Sequence, residues 1–166
     1  MRTALAALGM AAAAVAFHAV SAQDGPPDRS QDLAWMSKQQ AYLGGLSAGD
    51  GWRVMPGGLK WRYLEYAGSD RKPTVADTVT VHYAGTFIDG ETFDSSYDRG
   101  EPATFPLSRL VKAWQMAIPQ MGVGDTIEIA APADLAYGAE GRGPIPGGAT
   151  LLFRVELLGI GDRTQS

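Results

Sequence analysis

From Trp52 onward the chain reads as short alternating runs cut by turn residues. Trp52 to Met55 meets Pro56-Gly57-Gly58, and Leu59 to Tyr66 then sets Leu59, Trp61 and Tyr63 on one face, which predicts a strand pair. Gly68 to Pro73 is a charged loop. Thr78 to Thr86, TVTVHYAGT, puts Val79, Val81 and Tyr83 on one face with His82 on the other, and Asp89-Gly90 after it is a hairpin-type turn. The period changes at Leu110 to Ile118, where Leu110, Val111, Trp114 and Ile118 recur at helical spacing and Pro119 falls at the end. Gly122-Val123-Gly124-Asp125 turns the chain into an alternating strand from Thr126 to Ala130. A loop rich in Gly and Pro follows from Ala131 to Gly148, and Ala149 to Gly159 closes as a buried strand. Strands flanking one strong helix predict the α+β class.

Upstream the pattern is different. Arg2 precedes an apolar stretch from Ala4 to Phe17, and Val20-Ser21-Ala22 offers the small residues a signal peptidase reads, so residues 1–22 read as a secretory signal. Dominated by Ala and interrupted by His18, the stretch is weakly apolar for an uncleaved membrane anchor. Gln23 to Ser30 is a polar leader carrying Pro26-Pro27. Asp32 is placed to cap a helix reaching about Leu46, with Leu33, Met36 and Leu43 on one stripe and Trp35, Tyr42 and Leu46 on the next. So few turns favour a helix folded against the domain over a dimerising one. The expected organisation is a signal peptide at 1–22, a leader and helix at 23–47, one domain at 48–162 and a tail at 163–166.

Composition narrows the function classes. With 166 residues, 45% of them hydrophobic, there is room for one domain with a core and not for two large ones. A formal charge of −4 and no clustered Lys or Arg argue against a nucleic-acid partner. The absence of Cys excludes disulfides, a thiol nucleophile and thiolate zinc sites. Once the signal is removed His82 is the sole histidine, too few nitrogen ligands for a transition metal, and neither a G-x-S-x-G elbow nor a Walker motif occurs. No metal or cofactor is therefore expected. What remains is aromatic: GETFDSSYDRGEPATFPLSRLVKAW, from Gly90 to Trp114, sets Phe93, Phe105 and Trp114 among Asp94 and Arg99, with Tyr137 and Phe153 beyond it. Composition leaves open whether these rings are core or pocket.

The order of VHYAG, TFDSS, DRG, LAYG and GGATLLFRVELL resembles that of FKBP-type peptidyl-prolyl cis/trans isomerases, over roughly Gly57 to Ile160. The resemblance implies a twisted antiparallel sheet wrapped around one short helix, FKBP-like, and a shallow apolar cavity beneath a bound proline. Carried over residue by residue, it implies catalytic roles for Tyr83, Phe93, Asp94, Trp114, Tyr137 and Phe153, and substrate contacts from Arg99, Phe105, Leu110, Val111 and Ile145. Trp114 would be the floor, Phe93, Val111 and Phe153 the walls, and Tyr137 with the Val111 amide the donors to substrate carbonyls. Asp94, held by Arg99 and Tyr83, would orient the pocket.

Three departures concern specificity. Ala103 stands where the family usually has an aromatic, the span from Phe105 to Trp114 is short, and the 141–148 loop carries Arg142 and Pro144. The implied partners are proline-containing unfolded or exported polypeptides and possible macrolide inhibitors, bound by a periplasmic or secreted protein, monomeric or weakly dimeric and free of the membrane once the signal is cleaved. A folding chaperone or binding module using the same groove with little turnover is the alternative, and Ala103 keeps an inactive scaffold open as well. Catalysis of this kind needs no nucleophile, so the rate is expected to be nearly flat from about pH 6 to pH 9, where neither a carboxylate nor a guanidinium changes charge.

Overall fold

A computed structural model describes Arg29 and residues 31–161; the expected signal peptide, most of the leader and the C-terminal tail lie outside the described residues. The element order is α1 (Leu33–Gly45), β1 (Arg53–Val54), β2 (Lys60–Glu65), β3 (Thr78–Phe87), β4 (Thr92–Ser95), α2 (Ser96–Arg99), β5 (Ala103–Pro106), α3 (Lys112–Ala117), β6 (Thr126–Ala131) and β7 (Leu151–Gly161). The seven strands form one antiparallel sheet in the order β1-β2-β6-β7-β3-β4, with β5 also pairing β3.

Alternation does what the sequence predicts. Along β3, Val79, Val81, Tyr83 and Gly85 are buried while Thr80, His82 and Ala84 are half-exposed. The buried face packs on α3 in one core that joins Trp61, Val79, Val81, Ile127, Ile129, Val155 and Leu157 of the sheet to Ala113, Trp114 and Ala117 of the helix. The helix is shorter than its apolar period suggests. Leu110 and Val111 are extended ahead of it (ψ 170° and 151°), and Ile118-Pro119-Gln120 is a 3-10 turn after it. Pro119 lacks an N–H, so the α-helical ladder cannot run through it. Two elements were not foreseen: α2, capped by the Ser95 hydroxyl accepting from Asp98 N at 3.2 Å, and β5.

Residues 33–45 are helical and folded against the domain. Asp32 caps α1, its Oδ1 accepting from Trp35 N at 3.0 Å. At the other end Lys60 of β2 donates to the carbonyls of Leu43 (2.7 Å) and Leu46 (2.5 Å), placing a cation where helix carbonyls lack partners. Five of the six residues on the expected stripes, Trp35, Met36, Tyr42, Leu43 and Leu46, are half-buried, but Leu33 is 82% exposed and the single fully buried residue of α1 is Gln39, whose Oε1 accepts from Thr150 N at 2.8 Å. Polar anchors, together with half-buried Trp35, Met36, Tyr42 and Leu43, hold a helix too short to bury a full apolar face. No helix among the described residues is long and apolar enough to cross a membrane.

Candidate active site

Strand β3 brings Tyr83 to the concave face, β4 brings Phe93 and Asp94 beside it, and β7 brings Phe153 opposite Gly85. From the helix side come Leu110 and Val111, extended ahead of α3, and Trp114 on its first turn; β5 adds Phe105 and the loop after β6 adds Tyr137. These nine residues line one depression of about 320 Å³, counted out to its open mouth.

Trp114, 4% exposed, lies at the bottom of the depression. Three rings meet it edge-on: Tyr83 at 5.2 Å and 82°, Phe153 at 5.4 Å and 89°, and Phe105 at 6.3 Å and 75° between centroids and planes. Such T-shaped contacts set the positive edge of one ring on the negative face of the next and fix the orientation of each. The indole N–H of Trp114 is buried with no hydrogen-bond partner among the described residues. Ring surface, and not that donor, is therefore what the floor presents to the rest of the site.

Asp94 is 8% exposed and is held from two sides. Arg99 Nη1 donates to its Oδ1 at 2.5 Å, the Tyr83 hydroxyl donates to its Oδ2, and Arg99 Nη2 also donates to the Tyr83 oxygen at 3.0 Å. Burial and the bond to Asp94 push the Tyr83 phenol well above its ordinary value. Burial works against the Arg99 charge, but the bonds to Tyr83 and Asp94 outweigh it and keep Arg99 above its ordinary value. The Tyr137 phenol is raised by burial, with Arg142 pulling it partly back. Two donors at the pocket have no acceptor among the described residues, the Tyr137 hydroxyl and the Val111 amide. Neither needs to break a bond to meet a ligand carbonyl.

Two of the eleven residues named from sequence do not line the depression. Arg99 stands behind Asp94 and Tyr83, and Ile145, 1% exposed, lies in the core. The Ile145 backbone pairs with Arg142 (2.9 Å each way), closing the turn that carries Pro144. Ala103 sits opposite Val81 in the β3–β5 ladder, and Phe105 is the ring that β5 contributes.

Two supporting residues were missed. A Cβ on Gly85 would come within 2.5 and 2.7 Å of Phe93 ring carbons and 3.2 Å of the Phe153 ring, so a bare backbone lets both rings close over β3. A glycine inside a strand is a sequence signal of such an approach. Ser96, fully buried, accepts from Tyr83 N at 2.7 Å and donates to Tyr83 O at 3.2 Å, with His82 Nδ1 at 2.9 Å. Its hydroxyl stands in for a strand partner where β4 ends, and nothing in the local sequence marks it. Ser96→Ala leaves the Tyr83 N–H buried and unpaired, so the unfolding free energy is expected to fall by about 1–2 kcal/mol in urea titration. A loss below about 0.5 kcal/mol, the usual range for an indifferent surface change, would show that Tyr83 does not depend on it.

Comparison with known proteins shows the family. A family model described as FKBP-type peptidyl-prolyl cis-trans isomerase matches residues 69–158. FkpA of Aeromonas hydrophila, named as an FKBP-type peptidyl-prolyl cis-trans isomerase, is 44% identical over 123 residues, which cover 74% of this chain and 46% of FkpA. FK506-binding protein 2 of Emericella nidulans is 49% identical over 94 residues, covering 55% of this chain and 70% of that protein. The crystal structure of FkpA from Escherichia coli superposes with a TM-score of 0.75 at 36% identity, over 80% of this chain and 62% of the other. The chain spans about half the length of the first curated relatives it matches, from 46% to 54%. Matched over more than half of its length by the family model, the chain belongs to the FKBP-type peptidyl-prolyl cis-trans isomerase family.

Proposed function

We propose that the protein accelerates cis/trans rotation about X-Pro bonds in exported polypeptides as they fold. The observation that carries this reading is the depression itself: an apolar floor at Trp114, ring walls, and two unengaged donors at Tyr137 and Val111. Rotation about C–N destroys amide resonance at a barrier of roughly 18–20 kcal/mol, and no covalent bond need break. Water favours the planar, dipolar amide over the twisted one, so an apolar site removes part of the barrier. The pyrrolidine ring sits on Trp114 between Phe93, Val111 and Phe153, while Tyr137 and the Val111 amide hold flanking carbonyls. Asp94, fixed by Arg99 and Tyr83, sets negative charge at one side of the twisting bond. A lowering of about 4 kcal/mol gives roughly a thousandfold in rate.

Export is read from residues 1–22, and the protein is a monomer or a weak dimer. The direct test is the exchange rate of an Ala-Phe-Pro-Phe peptide by NMR, with and without protein. Strong acceleration, suppressed by a macrolide that fills the pocket, is expected; a folded protein that leaves the rate unchanged would sink the reading.

The pH profile follows from the tyrosines. A phenol whose pKa is raised by folding contributes stability that is fully present below its unfolded value near 10 and is lost as pH rises through the folded one. Tyr83 and Tyr137 therefore remain protonated across the physiological range. kcat/KM is expected to change less than about twofold from pH 6 to pH 9 and to decline only in strong alkali. A bell centred near neutrality would reject a mechanism without proton transfer.

A further inference from the structure

We propose that a polypeptide bound at the aromatic pocket continues into a second groove, between α1 and the β3–β4 hairpin, which binds an apolar side chain a few residues from the proline. This rests on the reading that the pocket takes a proline. The groove runs between Trp35 and Lys38 of α1, Phe87 and Ile88 at the end of β3, and Pro144 and Pro146 of the loop before β7. Its empty space is about 1060 Å³ against about 320 Å³ for the pocket, each counted out to its open mouth.

The two depressions are neighbours, meeting at a pair of rings. The Phe87 ring lies 5.0 Å from that of Phe93, which lines the pocket. An extended chain advances about 3.3 Å per residue, so about two residues span the 5.0 Å between the Phe93 and Phe87 rings. The occupant is therefore the flanking stretch of the same polypeptide. The lining combines apolar Trp35, Phe87, Ile88, Pro144 and Pro146 with exposed Arg29, Lys38, Asp89 and Glu91, which suits a segment that has apolar groups to bury and polar groups to leave in water. None of these four charges forms an ion pair among the described residues.

The α1 wall is held firmly. Trp35 Nε1 donates to Gly147 O at 3.3 Å, the Arg29 guanidinium lies 4.8 Å above the Trp35 ring, and Gln39 accepts from Thr150 N. Gly148 completes the seat: a Cβ there would lie 2.6 Å from Met36 Sδ. A preformed wall loses little conformational entropy when a peptide binds.

The test uses the full chain and two peptides, Ala-Phe-Pro-Phe and a twelve-residue peptide with the same core and Leu in both flanks. NMR exchange gives kcat/KM for each, and anisotropy of the fluorescein-labelled longer peptide gives affinity. Trp35→Ala and Ile88→Glu are expected to leave the short peptide within about twofold while lowering affinity and kcat/KM for the long one by about five- to tenfold. Ile88→Glu guards against loosening of α1 in the other variant. Equal losses on both peptides, or none on either, would overturn the inference. If the unsubstituted protein accelerates neither peptide, the isomerase reading fails, while anisotropy still reports whether the groove binds. Tighter binding by a chain lacking residues 1–28 would assign the groove to the protein's own leader and overturn the inference as well.

Discussion

Trp114→Ala is expected to abolish isomerisation and, at the same time, to cost about 3–5 kcal/mol of stability, the range for removing a buried Trp from a close-packed core. Trp114 is 4% exposed and meets three rings edge-on, so its loss opens a void beneath Tyr83, Phe105 and Phe153 together. A domain of ordinary stability, about 5–15 kcal/mol, survives that change only narrowly. Activity lost in Trp114→Ala alone therefore cannot separate a missing floor from a collapsed pocket. Trp114→Phe separates them. It keeps a ring and deletes an indole N–H that has no partner among the described residues, so little hydrogen bonding is lost. This variant is expected to lose about 1–2 kcal/mol and to keep kcat/KM within about tenfold. Urea unfolding and NMR exchange on the two variants give the answer. A folded Trp114→Phe as inactive as Trp114→Ala would move the chemistry from the apolar floor to the indole donor.

Gly85→Ala should do the reverse, harming function more than fold. The new methyl would stand 2.5 Å from Phe93 Cζ, and the atoms it meets are the ends of side chains and not backbone. Phe93 can swing away, but its contacts with Phe87 at 5.0 Å and Phe153 at 5.8 Å go with it. Stability is expected to fall by about 1–2 kcal/mol, in line with overpacking of a well-filled site. The pocket loses a wall, and kcat/KM is expected to fall at least about tenfold, since a misplaced contact at a reacting group is felt directly in the barrier. Adding Phe93→Leu makes room for the methyl and should recover most of the stability without the activity. Unchanged activity in Gly85→Ala would show that Phe93 is not a working wall of the site.

Much of this site is legible in the sequence because strand and helix periods are local. Alternation in TVTVHYAGT puts Val79, Val81 and Tyr83 on one face, and the structure keeps them there. Period alone does not say where a helix stops. Leu110 and Val111 share the apolar stripe of α3 yet lie extended ahead of it, and that conformation leaves the Val111 amide free at the pocket.

The sequence by itself determined every strand but β5, the longer domain helix α3, the rings available to a pocket and the Asp94–Arg99 pair, since each is marked by residues within a few positions of one another. Tertiary structure alone decided that Arg99 stands behind the pocket while Asp94 lines it, that Ile145 is core, that Ser96 holds Tyr83, and that Gln39 seats α1 on Thr150. It also paired Gly85 with Asp94 on one side and Phe153 on the other. Those relations join segments 9 to 111 positions apart, or turn on which way a side chain faces once the ladder register is set. A slip of one residue in that register would send every side chain of a strand to the opposite face, so no local pattern can specify them.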